Sequence, residues 1–202
     1  MASSIKRIVF ASSSSVYGDT EEFPFTESTH LQPSSPYGVT KVSCEHLCRV
    51  YARTFGLQCV LLRYFTVYGP RQRPDMAIHK FISGILKNKE ITIFGDGEQI
   101  RDFTFIDDIV DATFLASKIN ITGSDIYNIG GGESITVNSL LEILGELTGR
   151  EIVKEYLDSQ NGDVFRTRAD LQKSKSILGW APKVQLKDGL AKQILWHQNL
   201  LR

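Results

Sequence analysis

Tyr37 and Lys41 stand four residues apart. On a helix that spacing puts both side chains on one face about one turn apart, so an ammonium there favours the phenolate form of its neighbour. A phenol held in this way can take a proton from an alcohol. Alone, Tyr-x-x-x-Lys is a weak signal, because average composition generates it by chance in roughly one of every few chains of this length. Its setting strengthens it. The apolar run Arg7-Ile8-Val9-Phe10-Ala11 reads as a strand that ends in Ser12-Ser13-Ser14-Ser15, and Ser34-Ser35-Pro36 signals a helix start beside Tyr37. In a parallel sheet, strand ends and helix starts meet at the same edge, which is where ligands bind. The Ser13 hydroxyl, the Tyr37 phenol and the Lys41 ammonium are therefore expected to converge on one alcohol.

Periodicity indicates the elements that must position these groups. Arg7–Ala11 reads as a fully buried, parallel-type strand. From Tyr37 to about Phe55, Val39, Val42, Leu47, Val50 and Tyr51 recur at helical spacings until Gly56 stops them, and Cys59–Phe65 reads as a second buried strand. Strand, loop, long helix, strand is the half-unit of a doubly wound α/β sheet. After Tyr68-Gly69-Pro70, the polar stretch 71–75 reads as a ligand-facing loop, followed by a helix over 76–86. Ile91–Phe94, Gly95-Asp96-Gly97 and Arg101–Phe105 read as strand, tight turn and strand, and Asp107-Asp108 opens an amphipathic helix to about Lys118. Ile126–Ile129 is a further strand, and Gly130-Gly131-Gly132 reads as a strand-to-helix turn rather than a phosphate loop. Val137, Leu140, Leu141, Leu144 and Leu147 share one face of a helix ended by Gly149. A strand-like segment at 152–156 and helices near 169–178 and 186–200 complete the pattern.

The 202 residues are 42% hydrophobic and 23% charged, globular proportions with enough chain for a sizeable core. Twenty-three Lys+Arg balance 23 Asp+Glu without a basic block, which argues against a nucleic-acid binder held by phosphate neutralisation. No apolar run approaches the roughly 20 residues that span a bilayer, and Met1-Ala2-Ser3-Ser4 leads into Lys6-Arg7 with no hydrophobic leader, so no membrane role and a cytoplasmic location are expected. Cys44, Cys48 and Cys59 form no Cys-x-x-Cys motif and are expected as buried thiols. His46 near Cys48 has no third or fourth ligand at usable spacing, so no metal site is expected.

Four stretches carry a resemblance: Val9-Phe10-Ala11-Ser12-Ser13-Ser14-Ser15-Val16-Tyr17-Gly18, Ser35-Pro36-Tyr37-Gly38-Val39-Thr40-Lys41, Leu62-Arg63-Tyr64-Phe65-Thr66-Val67-Tyr68-Gly69-Pro70 and Gly95-Asp96-Gly97-Glu98-Gln99-Ile100-Arg101-Asp102-Phe103. Together they resemble the extended short-chain dehydrogenase/reductases of the NAD-dependent epimerase/dehydratase family, in particular the UDP-glucose and UDP-glucuronate 4-epimerases. The resemblance implies a Rossmann-like doubly wound parallel sheet with a small C-terminal α/β substrate-binding domain. Residues 1–70 would belong to the dinucleotide-binding domain and 71–202 mostly to the nucleotide-sugar domain, with 102–132 returning to the Rossmann sheet. It implies NAD as cofactor, a UDP-sugar as substrate, and a homodimer as the usual family assembly. Tyr37 would be the base at the sugar 4-hydroxyl, Lys41 would hold the nicotinamide ribose, and Ser13 would hydrogen-bond the reacting oxygen. Ala11, Ser12, Tyr64 and Val67 would line the cofactor pocket. Ala77, Ile78, Thr92 and Phe94 would surround the nucleotide, with Arg101 on the pyrophosphate. Gln160 and Asp163 match a late substrate loop, although some relatives carry Arg in place of Gln160.

Departures from the family pattern refine the expectation. Dehydratase and decarboxylase relatives place carboxylates just after the catalytic hydroxyl, where Ser14 and Ser15 stand here, which favours simple epimerisation. Thr66 replaces the Asn usual in glucose-type enzymes and, with Arg73, resembles the uronate enzymes, where a cation beside a sugar carboxylate makes physical sense. The family's opening strand and Gly-x-x-Gly-x-x-Gly turn, which receive the cofactor pyrophosphate, have no counterpart, an absence of about a hundred residues by family analogy. The chain thus resembles an epimerase truncated at its N-terminus, and alone it is expected to lack NAD and turnover and to self-associate through an open sheet edge. A related nucleotide-sugar reductase or dehydratase, and a non-catalytic remnant, are the alternatives.

Overall fold

The computed structural model describes residues 5–159 and 164–200. The helix that carries Tyr37 and Lys41, α1 (Pro36–Phe55), starts where the sequence signals it. Ser35 is extended and its hydroxyl accepts the Gly38 N–H at 3.1 Å, Pro36 occupies the first turn, and Gly56 ends the helix in the left-handed region at φ 68°. Gly38 is required by close approach: a Cβ there would lie 2.4 Å from the Ser15 carbonyl oxygen. The first turn of α1 is thereby pressed against the segment that follows the first strand.

That strand, β1 (Arg7–Ser13), pairs in parallel with β2 (Gln58–Tyr64), which pairs in parallel with β6 (Ser124–Ile129). Ser13 stands opposite Tyr64, and Tyr64 opposite Ile129, so the carboxyl ends of all three strands are level. A 3₁₀ turn (Ser14–Val16) then carries the serine run away from the sheet. A second sheet joins β3 (Thr66–Tyr68), β5 (Ile100–Phe105) and β7 (Ser134–Thr136), and a two-stranded parallel sheet joins β4 (Ile91–Phe94) to β8 (Lys154–Leu157). The remaining helices are α2 (Ala77–Leu86), α3 (Ile106–Lys118), α4 (Val137–Thr148) and α5 (Leu186–Leu200).

Besides a small cluster in which Ala52 of α1 packs with Leu57, Cys59, Leu61 and Ile126, two larger apolar cores lie beneath these layers among the described residues. One gathers Val16, Tyr17, Phe25, Leu62, Phe65 and Trp180 against the β1-β2-β6 sheet. The other gathers Tyr68, Ile82, Ile93, Leu141, Leu144 and Leu190 among α2, α4, α5 and the smaller sheets. No helix among the described residues is long and apolar enough to cross a membrane.

The structure corrects several local expectations. β1 is not fully buried: Ile8 is 39% exposed and Ala11 is exposed, because among the described residues β1 pairs only with β2. β4 and β5 flank a tight turn but do not pair with each other; β4 takes β8, and β5 sits between β3 and β7. The glycine triplet leads first into β7, a strand too short for period-2 patterning to reveal, and only then into α4. The segment near 169–178 is regular only from Gln172, with a π-helical turn at Ser174–Leu178.

Candidate functional site

Two adjoining cavities open beside the sheets, the first at the carboxyl ends of β1 and β2 and the second between β4, the start of β5 and helix α2. The first, about 600 Å³, is lined by Ala11, Ser12, Ser13, Ser14, Tyr37, Lys41, Tyr64, Thr66, Val67 and Arg73. The second, about 440 Å³, is lined by Thr66, Ala77, Ile78, Thr92, Phe94 and Arg101, and the two share Thr66, Gln72 and Met76. Each residue singled out from the sequence within the described part of the chain lines one cavity or the other. Gln160 and Asp163 lie outside the described residues.

In the first cavity, Tyr37 presents a ring that is 54% exposed, at the mouth rather than the floor. Lys41 donates from Nζ to the Ala11 carbonyl at 2.8 Å and lies 5.5 Å from the centre of the Tyr37 ring, so helix α1 is tied to β1 by the same ammonium that flanks the phenol. The Ser13 hydroxyl donates to Ser15 Oγ and accepts the Ser15 N–H, both at 3.1 Å, which fixes it at the strand end. Tyr64 forms wall rather than donor: its hydroxyl is spent on Thr113 Oγ1 at 2.8 Å, and burial raises its pKa. Ser12 differs from expectation in the same way. Its hydroxyl donates to Glu45 Oε1 at 2.5 Å, inside the protein, so its side chain does not face a cofactor. Arg73 is 75% exposed and paired with Asp75 at 2.9 Å.

In the second cavity, Phe94 is 38% exposed at the end of β4, a ring face on which a base can stack. Thr92, two residues earlier on that strand, donates to Glu155 on β8 at 3.4 Å. Arg101 Nη1 donates to the Ile100 and Phe165 carbonyls at 2.9 and 3.2 Å, which holds its guanidinium at the wall. The glycine triplet takes no part in either cavity. The Gly131 N–H donates to Asp102 Oδ1 at 2.6 Å, and a Cβ on Gly131 would lie 2.0 Å from the Phe103 carbonyl oxygen, so the triplet packs on β5. Burial pushes Asp102 up to about 6, against the opposing effect of the Ala169 and Gly131 N–H bonds and the Arg168 charge.

Sequence reading missed the charged cluster beneath the first cavity. Arg63 and Glu45 are each 1% exposed and form a two-pronged pair, Nε to Oε1 at 2.9 Å and Nη2 to Oε2 at 2.7 Å. Burial opposes the charge on Arg63, but its bonds to Glu45 and the neighbouring Tyr17 prevail and hold the guanidinium above its usual range. The Tyr17 hydroxyl, pushed up to about 12 chiefly by burial, accepts from Arg63 at 2.9 Å and donates to Asn128 at 2.6 Å. A signal existed: an arginine within the apolar run Cys59–Phe65 demands a buried counter-charge. At the junction of the cavities, Gln72 falls in the stretch read as a ligand-facing loop, whereas Met76 carried no signal.

Among the described residues, no group of three or more His, Cys, Asp or Glu side chains is arranged to hold a metal ion. Residues 1–130 match the NAD dependent epimerase/dehydratase family. The chain is 46% identical over 198 residues to an uncharacterized UDP-glucose epimerase of Bacillus subtilis, covering 98% of this chain and 62% of that protein. It is 43% identical over 197 residues to a UDP-glucuronate 4-epimerase of Thermodesulfobacterium geofontis, covering 96% of this chain and 60% of that protein. Its fold superposes with a TM-score of 0.94 and 42% identity on a UDP-glucuronic acid 4-epimerase from Bacillus cereus solved with UDP-glucuronic acid and NAD, covering 98% of this chain and 63% of the other. The chain therefore spans about three fifths of the length of these relatives.

Proposed function

Because the chain belongs to the NAD dependent epimerase/dehydratase family, we propose that it forms the catalytic and sugar-nucleotide-binding part of a UDP-sugar 4-epimerase. The observation that carries this reading is the convergence of Ser13, Tyr37 and Lys41 on one cavity that opens into a second walled by Phe94 and Arg101. Residues 1–70, with the returning strand in 102–132, make the dinucleotide side in this account, and the rest of 71–202 makes the sugar-nucleotide side.

The donor set fits the nicotinamide-ribose end of NAD: an ammonium and a phenol one helical turn apart, beside the apolar wall of Tyr64 and Val67. NAD bound there would supply a reversible hydride acceptor for C4 of the sugar. Lys41 holds the ribose hydroxyls and keeps a positive charge beside Tyr37. Tyr37 takes the proton of the sugar 4-hydroxyl as the 4-keto sugar forms, and gives it back when the carbonyl is reduced on its opposite face. Ser13, once its hydroxyl turns from Ser15 Oγ, donates a hydrogen bond to the same oxygen and steadies its developing charge. Phe94 stacks on the uracil, and Arg101 directs its fork at the pyrophosphate. With hydroxyls at Ser14 and Ser15 rather than carboxylates, these two positions supply no acid to drive elimination from the sugar.

A hexuronate suits the cavity best. Ser14 and Thr66 offer hydroxyls beside the sugar position, and Arg73 sits on the same wall. An exposed ion pair such as Arg73–Asp75 is worth at most about 1 kcal/mol, so Arg73 exchanges Asp75 for a substrate carboxylate at little cost. The test is product analysis with the full-length protein that carries this sequence, supplied with NAD and with UDP-glucuronate or UDP-glucose. The C4 epimer should form from both, and Arg73→Ala should slow the uronate reaction by about tenfold while leaving UDP-glucose nearly unchanged. Equal effects on both substrates would remove the carboxylate role, and a 6-deoxy-4-keto product would replace epimerisation by dehydration.

A further inference from the structure

We propose that the buried Glu45–Arg63 pair is a positioning device that sets the catalytic Ser13 strand end against the helical turn bearing Tyr37 and Lys41. The proposal rests on the epimerase reading above. Glu45 is one helical turn beyond Lys41 on α1, and its carboxylate is the point where three elements meet. From β1 the Ser12 hydroxyl, next to Ser13, donates to Oε1 at 2.5 Å. From β2 the Arg63 guanidinium, next to Tyr64, donates to both oxygens. Two successive turns of α1 are thus tied to two adjacent residues at the end of β1, Lys41 to the Ala11 carbonyl and Glu45 to the Ser12 hydroxyl. The remaining Arg63 donor is fixed as well, by the Tyr17 hydroxyl at 2.9 Å and the Glu27 carbonyl at 3.2 Å.

Such a cluster is a poor source of net stability. Removing two charges from water is costly, and a well-packed apolar pair of similar volume is often as stable. What it supplies is direction. A carboxylate receiving a forked guanidinium and a hydroxyl has one orientation, whereas apolar contacts tolerate sliding by a fraction of an ångström. Proton transfer at the 4-hydroxyl is sensitive to that difference, since misplacement by about 1 Å costs on the order of a hundredfold in rate.

The test compares the full-length wild-type protein with the double variant E45M/R63M, which removes both charges and keeps the volume. A single substitution would strand a buried charge and unfold the protein for unrelated reasons. The double variant should fold, keep KM for the UDP-sugar within about twofold, and lose kcat by on the order of a hundredfold. Amide hydrogen exchange should quicken across residues 9–15 and stay unchanged in α4. A double variant that fails to fold would make the pair a stability element, and one with wild-type kcat would remove any role in positioning; either overturns the proposal. If the wild type shows no turnover on any UDP-sugar, the epimerase reading fails separately. Hydrogen exchange then decides whether the clamp exists: faster exchange over 9–15 upholds it, and unchanged exchange refutes it.

Discussion

At the scale of single residues, Tyr37 and His197 show how differently exposure and burial act. Tyr37 stands open at the cavity mouth, where a substrate alcohol can meet it. In the full-length protein, Tyr37→Phe should lower turnover by at least about a hundredfold, the lower range for losing a general base, while KM changes much less. Steady-state kinetics checks this, and wild-type turnover would remove Tyr37 from the mechanism. His197 is buried on α5, its Nε2 lacks a partner among the described residues, and its ring meets that of His79 edge-on with centroids 4.4 Å apart. Burial, then the charges of His79 and Lys87, push its pKa from 6.5 down to about 4. Above about pH 6.5 the ring is neutral in both folded and unfolded chains. As pH falls from 6.5 through 4 the unfolded chain takes up the proton first, and stability is lost over that window. Asp102, raised from 3.8 to about 6, acts in the opposite sense: its contribution is present below 3.8 and is lost as pH rises through 6. His197→Leu should therefore lose less Tm than wild type on going from pH 7 to pH 4.5. Parallel curves in a thermal scan would show that His197 does not titrate as described.

At the scale of elements, close approach matters more than propensity. Gly38 in the first turn of α1 leaves no room for a Cβ beside the Ser15 carbonyl. Alanine there would gain up to about 1 kcal/mol of helix propensity in open surroundings. Here it forces the turn bearing Tyr37 away from the strand end, so Gly38→Ala should lower kcat by on the order of tenfold while the protein stays folded. Unaltered kcat in a folded variant would show that the turn does not depend on this contact. The start and end of α1 were legible because Ser35, Pro36 and Gly56 are local signals that act on their own backbone. The second strand was legible because its apolar run is continuous. What was not legible is long-range. Whether β4 pairs with β5 or with β8 depends on partners more than fifty residues apart, and β3 and β7 have three residues each, too few for a period. The Glu45–Arg63 link joins a helix to a strand across 18 positions, and only the oddity of a charge in an apolar run hinted at it.

At the scale of the whole molecule, the two larger cores explain why the site has two chambers. The core under the β1-β2-β6 sheet supports Ser13, Tyr37 and Lys41, whereas the core among α2, α4 and α5 supports the strand bearing Phe94 and the wall bearing Ile78. Thr66, Gln72 and Met76 lie between them and belong to both chambers. In the proposed reading, a nucleotide held in one chamber would deliver its sugar to the other, which makes transient oxidation at C4 the central claim. The most direct test is to supply UDP-glucuronate deuterated at C4 to the full-length protein with NAD and to follow the sugar by NMR in ordinary water. The deuterium should be retained at C4 of the galacto epimer, because as a carbon-bound hydride it leaves and returns without exchanging with water. Formation of the epimer with hydrogen from water at C4, or no epimer at all, would contradict the account.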